Sequence, residues 1–155
     1  MTEASRAPLV YLDANPFIYL IEGADDLVAV MERLFGKLQA NPGSGATSEL
    51  TLAEVLPKAP EWHREDYLDL MLSSGFLRLL PVTREVILGA AEFRRTVASA
   101  GFRMPKLPDA IHAVTAGIEG CRYLVTNDAR LAVPTGVFRV GTDAASIAAV
   151  IEELP

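Results

Sequence analysis

Pro8-Leu9-Val10-Tyr11-Leu12-Asp13-Ala14-Asn15-Pro16 is the stretch from which the rest of the chain can be ordered. Its short run of Val, Tyr and Leu has the length and composition of a buried strand, and Asp-Ala-Asn-Pro stops it. The strand therefore ends on a carboxylate, Asp13. In open parallel α/β sheets the ligand crevice lies at the carboxyl ends of the strands. A carboxylate there is badly placed for core packing and well placed for chemistry. Three later acids, Glu54, Asp109 and Asp128, occur in similar settings.

Working outward, Asn15 to Ile21 reads as a short helix, with Asn15 as N-cap and Pro16 at the first helical position. Gly23 ends it. Asp25-Asp26 opens an amphipathic helix in which Leu27, Val30, Met31, Leu34, Phe35 and Leu38 recur at three- and four-residue steps. After the Asn41–Gly45 break, Ala46-Thr47-Ser48 is a short strand, supported mainly by the helix that follows it, Glu49 to Leu56. Ser48 or Glu49 caps that helix, which puts Glu54 about one and a half turns in, still near the strand's end. A helix over Trp62–Leu72 follows, then a strand over Phe76–Leu80. Thr83 caps a helix running to Ala100, and Gly101 closes it. Pro108-Asp109 opens a helix continuing to Ile118. Tyr123–Thr126 is a buried strand closed by Asn127-Asp128, Val137–Val140 is the last strand, and a helix spans Asp143 to Glu153. Strands alternating with helices predict an α/β fold: a mainly parallel sheet of four to five strands, covered on both faces, in one domain over residues 1–155.

The composition sets bounds on function. Half the residues are hydrophobic, which excludes disorder. No apolar run reaches the roughly 18 residues of a membrane span. Thr2, Glu3 and Ser5 make the N-terminus polar, so no signal peptide is expected. Cys121 is the single cysteine, expected to be buried at a strand entrance, and a lone thiol fits a reducing cytoplasm. The 14 Lys and Arg against 20 Asp and Glu argue against broad nucleic-acid binding through bulk charge. They leave a nuclease open, because a divalent cation bound at clustered acids reverses their sign locally.

In a parallel sheet, Asp13 and Asp128 end strands on one edge. Glu54 follows the second strand onto that edge. Asp109 opens a helix, where the macrodipole favours an anion by about 0.3–1 kcal/mol, but it follows a helix, so its position is less directly fixed. Each acid alone has a structural reading as a cap, a turn or a solvated helix face. Four together would repel strongly, and a hard cation compensates: Mg²⁺ or Mn²⁺, with oxygen ligands and retained waters. Such an ion orients and acidifies a water and clamps a phosphate oxygen, which is chemistry for phosphodiester hydrolysis. A phosphoryl-transfer domain with Asp13 as acceptor fits poorly. One such class needs a second Asp where Asn15 stands, and another needs a lysine where Arg139 and Val140 stand. No G-x-G-x-x-G or Walker lysine is present.

The stretches VYLDANPFIYLIEG, TSELTLAEVL, LPDAIHAVTA and YLVTNDARL, in this order and at these spacings, resemble PIN-domain proteins, and in particular VapC-type toxins of toxin–antitoxin pairs. The resemblance covers nearly the whole chain. It implies a three-layer α/β/α PIN-like fold and an Mg²⁺- or Mn²⁺-dependent endoribonuclease. It places the metal-binding and catalytic acids at Asp13, Glu54, Asp109 and Asp128, and supporting polar residues at Asn15, Ser48, Thr126 and Asn127. It further implies an RNA substrate, an antitoxin partner and a homodimer. The alternatives are a PIN nuclease in RNA processing without an antitoxin, and an inactive PIN-like interaction module; presence of all the acids counts against the latter. Pro16 departs from the aliphatic residue common in relatives. From the residues themselves, Arg94, Arg95, Arg103 and Lys106, interleaved with aromatics, are candidates to guide RNA toward Asp109. His112, one turn after Asp109, is expected to be a packed or hydrogen-bonded neighbour of the site rather than a ligand. His63 is expected at the surface, and Tyr11, Phe17 and Tyr19 in the core.

Overall fold

A computed structural model describes residues 8–155; the polar N-terminal reading at Thr2, Glu3 and Ser5 lies outside the described residues. The strands are β1 (Val10–Leu12), β2 (Gly45–Ser48), β3 (Leu77–Leu80), β4 (Tyr123–Val125) and β5 (Phe138–Val140). The helices are α1 (Ala14–Glu22), α2 (Asp25–Ala40), α3 (Glu49–Val55), α4 (Glu61–Leu68), α5 (Arg84–Ser99), α6 (Leu107–Ile118) and α7 (Ala144–Glu153). All strand pairs are parallel, in the order β3-β2-β1-β4-β5.

That order follows from burial. Val10, Tyr11 and Leu12 are each fully buried, so β1 must be central, with a neighbour on either side. Side chains alternate between the two faces. Val10 and Leu12 join Phe17, Met31, Leu34, Leu38, Ile147 and Val150 beneath α1, α2 and α7. Tyr11 points the other way, with Ala46, Leu124 and Ala116 of α6. Helices α5 and α6 pack on each other through Val86, Ala90, Ala110, Ile111 and Val114. The result is the three-layer α/β/α fold expected from the PIN resemblance.

Some boundaries differ from the sequence reading. Helix α1 is capped by Asp13, whose Oδ1 accepts the Asn15 N–H at 3.0 Å, so Asn15 and Pro16 lie inside its first turn. An aspartate caps as well as an asparagine, so residue preference alone could not choose between them. Helix α6 starts at Leu107, ahead of Asp109, with Pro108 in the first turn, where a missing N–H costs nothing. The helix expected over Trp62–Leu72 is α4 continued by a π-helical turn, Asp69–Ser73. Strand β2 is one residue longer than expected and buried throughout. Cys121 is buried, as expected, and burial pushes its thiol up to about 12.

The strand order also creates the crevice. Chain β1–α1–α2–β2 moves to one side of β1, and β3–α5–α6–β4 returns to the other. The reversal falls between β1 and β4, the position at which open parallel sheets bind ligands.

Candidate active site

Asp13 leaves the sheet directly after β1, and Thr126-Asn127-Asp128 directly after β4, on opposite sides of this reversal. Asp13 is 9% exposed, and its N–H continues the ladder to Val125 O at 3.3 Å. Thr126 ties the two strand ends together. Its hydroxyl accepts the Asp128 N–H at 3.1 Å and lies close enough to the Asp13 carboxylate to stabilise its charge. Burial raises the Asp13 carboxyl above the ordinary carboxylate range, and the charge of Glu54 pushes the same way. Thr126, His112 and the Asn15 N–H oppose this.

Ser48 ends β2 and caps α3 by accepting the Leu50 N–H at 3.0 Å. This starts α3 on the same sheet edge and carries Glu54 toward the crevice. The Thr47 hydroxyl fixes the turn, donating to Leu12 O at 2.7 Å and lying 2.7 Å from Thr51 Oγ1.

Asp109 arrives from the opposite direction. Helix α6 immediately precedes β4, so its C-terminus delivers the chain to the strand's starting edge. Its first turn therefore sits at the edge where the strands end. Asp109 shares the electrostatic field of Asp128 and Glu54. Burial raises its carboxyl, those two charges raise it further, and His112 and Lys106 draw it back. All four acids thus share one edge, coupled pairwise: Asp13 with Glu54, and Asp109 with Asp128 and Glu54.

His112 connects the core to this edge. It is 3% exposed; its Nδ1 lies 2.6 Å from Tyr11 Oη, and its Nε2 lies 2.5 Å from Glu54 Oε1. An ionised carboxylate only accepts, so Nε2–H donates to Glu54 and Nδ1 accepts the Tyr11 hydroxyl proton. Burial and nearby Asp13 hold the Tyr11 phenol well above its ordinary range, with Ser48 alongside. Tyr11 was expected to be core alone. The signal available for more was its alternation with Val10 and Leu12, which turns it toward α6. The His112 expectation of a hydrogen-bonded neighbour matches the geometry.

Among the described residues, no three histidine, cysteine or acidic side chains are gathered closely enough to enclose a metal. The donor set is nevertheless suited to a hydrated hard cation. It offers only carboxylate oxygens, and Mg²⁺ typically takes one or two carboxylates while keeping several waters. Two of these carboxyls are disfavoured as anions by burial, a cost that a cation would relieve. A closed structural zinc site, with its preformed tetrahedral ligands, does not fit.

The basic candidates divide. Arg94 Nε donates to Pro105 O at 2.8 Å and braces the loop before α6. Arg95, Arg103 and Lys106 are exposed, and Lys106 lies close enough to Asp109 to stabilise its charge. His63 pairs with Asp66 at 3.0 Å, away from the acids.

The comparisons with known proteins agree with this fold. No curated protein sequence matches the chain significantly. Among solved structures, a toxin–antitoxin complex from Klebsiella pneumoniae superposes with a TM-score of 0.60 at 25% identity, covering 83% of this chain and 95% of that one. VapBC2 of Rickettsia felis, bound to a promoter DNA fragment, gives 0.66 at 22% identity, covering 87% and 99%. VapC20 of Mycobacterium tuberculosis, a sarcin–ricin-loop-cleaving toxin, gives 0.63 at 17% identity, covering 79% and 92%. The PIN-domain family model matches residues 10–136, from the first residue of β1 to the loop before β5, and with that match the chain belongs to the PIN-domain family.

Proposed function

We propose that residues 1–155 act as one PIN unit that hydrolyses RNA phosphodiester bonds with Mg²⁺ or Mn²⁺, as the toxin of a toxin–antitoxin pair. The observation that carries this reading is the electrostatic coupling of Asp13, Glu54, Asp109 and Asp128 across the β1/β4 reversal. The family match supports nuclease chemistry, and the Klebsiella pneumoniae neighbour named as a toxin–antitoxin complex supports a protein inhibitor. The toxin among them that cleaves an RNA loop supports RNA as the substrate class.

When bound, the cation supplies charge neutralisation and a water of lowered pKa. The chain's own residues prepare for this. Thr126 and the Asn15 N–H hold Asp13 in one orientation. His112 engages one oxygen of Glu54 and leaves the other available. Lys106, beside Asp109, is the cation that meets a substrate phosphate in this reading, with exposed Arg95 and Arg103 as further RNA contacts. Homodimerisation and a cytoplasmic location complete the reading. No helix among the described residues is long and apolar enough to cross a membrane.

The test is cleavage of total RNA by the purified protein with Mn²⁺, with chelator, and with Asp13→Asn. The expected result is cleavage only with metal, and a loss of at least about 100-fold in Asp13→Asn, the order reported when a group stabilising transition-state charge is removed. Undiminished cleavage in chelator would overturn the metal mechanism. Absence of cleavage under every metal condition, with the fold intact, would favour the interaction-module alternative.

A further inference from the structure

Beside the acid edge lies a recess of about 280 Å³, walled by the turn after β4 (Thr126, Asn127, Ala129) and the turn between β5 and α7 (Arg139, Thr142, Asp143). We propose that it is a nucleotide-binding subsite, seating one nucleoside and its phosphate next to the bond that the acid edge hydrolyses. The identity of the substrate rests on the ribonuclease reading above; the chemistry of the recess stands on its own.

Its location comes first. Thr126 forms part of the recess wall, while its hydroxyl accepts the Asp128 N–H at 3.1 Å and lies close enough to Asp13 to stabilise that carboxylate. A group seated here is therefore one side chain away from the acids.

Its charge is the second point. Asp143 is the only acid in the wall, and both its oxygens are committed: Oδ2 accepts the Ser146 N–H at 3.0 Å and Oδ1 the Ser146 hydroxyl at 2.7 Å. Arg139 gives one Nη1–H to Leu131 O at 2.8 Å and forms no ion pair among the described residues. The rest of its planar guanidinium fork remains for a phosphate oxygen or the face of a base. Arg139 lines the recess, where it can meet the negative charge of a polyanion bound at the acid edge.

The third point is recognition. Asn127 is exposed; its Oδ1 accepts a long 3.4 Å bond from the Thr142 hydroxyl, and its amide N–H₂ has no partner among the described residues. A carboxamide presents a donor and an acceptor side by side, as the edges of unpaired bases require. The volume is at the lower limit of the roughly 300–1,000 Å³ typical of small-molecule sites, which suits one nucleotide and not a length of strand. A larger groove of about 500 Å³, lined by Leu20, Ile21, Asp66 and Leu70, includes none of the candidate acids and no cation.

The experiment has two arms, each with wild type, Arg139→Gln and Ala129→Trp. Gln at 139 removes the guanidinium fork while keeping a polar side chain, and Ala129 is exposed, so a tryptophan there fills the recess from its rim. In the first arm, the four nucleoside 5′-monophosphates are titrated in chelator and followed by amide chemical shifts. The expected result is saturable binding of at least one, with shifts at Asn127, Arg139 and Thr142, weakened about tenfold or more in both variants. No saturable binding, or equal affinity in both variants, overturns the proposal. In the second arm, a mixed-sequence RNA is cut with Mn²⁺ and the ends are sequenced. Wild type is expected to show a base preference at one position next to the cut, and both variants to keep cutting with that preference flattened. A preference that survives in both overturns the subsite and leaves the ribonuclease reading intact. If wild type cuts no RNA while the nucleotides bind and the variants lose them, the ribonuclease reading falls and the subsite stands.

Discussion

Asp13 carries conflicting demands. It is buried, raised above the ordinary carboxylate range, and caps α1. For a carboxyl with a folded-state pKa above its unfolded value, the folded state binds more protons between the two. That contribution is fully present below the unfolded pKa, near 4, and is lost as pH rises through the folded pKa. Asp109 shifts in the same direction, so both act together. In chelator, urea-midpoint stability is therefore expected to decline from pH 4 toward neutrality, and Asp13→Asn should flatten the decline, since asparagine preserves the cap without the charge. A wild-type profile that rises over this interval would contradict the proposed burial of these carboxyls. The Tyr11–His112–Glu54 chain makes a second residue-scale prediction. Tyr11→Phe removes the hydroxyl that satisfies His112 Nδ1 in a buried setting. The expected cost is about 1–3 kcal/mol in urea unfolding. It should be accompanied by weaker Mn²⁺ binding in calorimetry, because His112, which orients Glu54, loses the bond that holds its own ring.

At the scale of elements, α5 meets α6 closely at Gly89. A Cβ built there would stand 2.8 Å from Val114 Cγ1. Val114 is β-branched and has little rotamer freedom within a helix, so it cannot swing away. Gly89→Ala gains about 1 kcal/mol of helix propensity but incurs about 1–3 kcal/mol of overpacking. A net loss is expected in the wild-type background. With Val114→Ala the clash is gone, and the same substitution should stabilise by about 1 kcal/mol. The sign reversal in a double-mutant cycle is the check, and additive effects would place the contact elsewhere. This contact matters to the site because α6 carries both Asp109 and His112, so the fit of α5 against α6 sets how far those residues reach over the sheet edge.

For the whole molecule, the site is an expense to the fold that a ligand should refund. A cation that binds only the folded edge stabilises by mass action, by about 2.7 kcal/mol at 100 times its dissociation constant. For a domain of this size that is roughly a 5–10 °C rise in melting temperature. Scanning calorimetry with millimolar Mn²⁺ should show it for wild type and not for Asp13→Asn. An equal rise in both would mean that the ion binds elsewhere.

Residue pattern alone determined the alternation of strands and helices, the carboxylates at the ends of β1 and β4, and the start of α3 at Ser48 or Glu49. These are local matters: burial periodicity, caps and chain-terminating turns act over a few residues. The choice of Asp13 over Asn15 as the α1 cap was already beyond its reach, because aspartate and asparagine cap a helix equally well. The start of α6 two residues ahead of Asp109 was hidden because proline is tolerated in a first turn as readily as before it. Asp109 shows the larger limit. Following a helix in sequence, it had no strand to place it, and only the antiparallel run of α6 back to the head of β4 brought it to the edge. The pairing of Tyr11 with His112, 101 residues apart, and the recess between Asn127 and Arg139 likewise exist only once β4 lies between β1 and β5. Strand order is set by which faces can be buried together, a property of the assembled layers, and that decided which of these side chains meet.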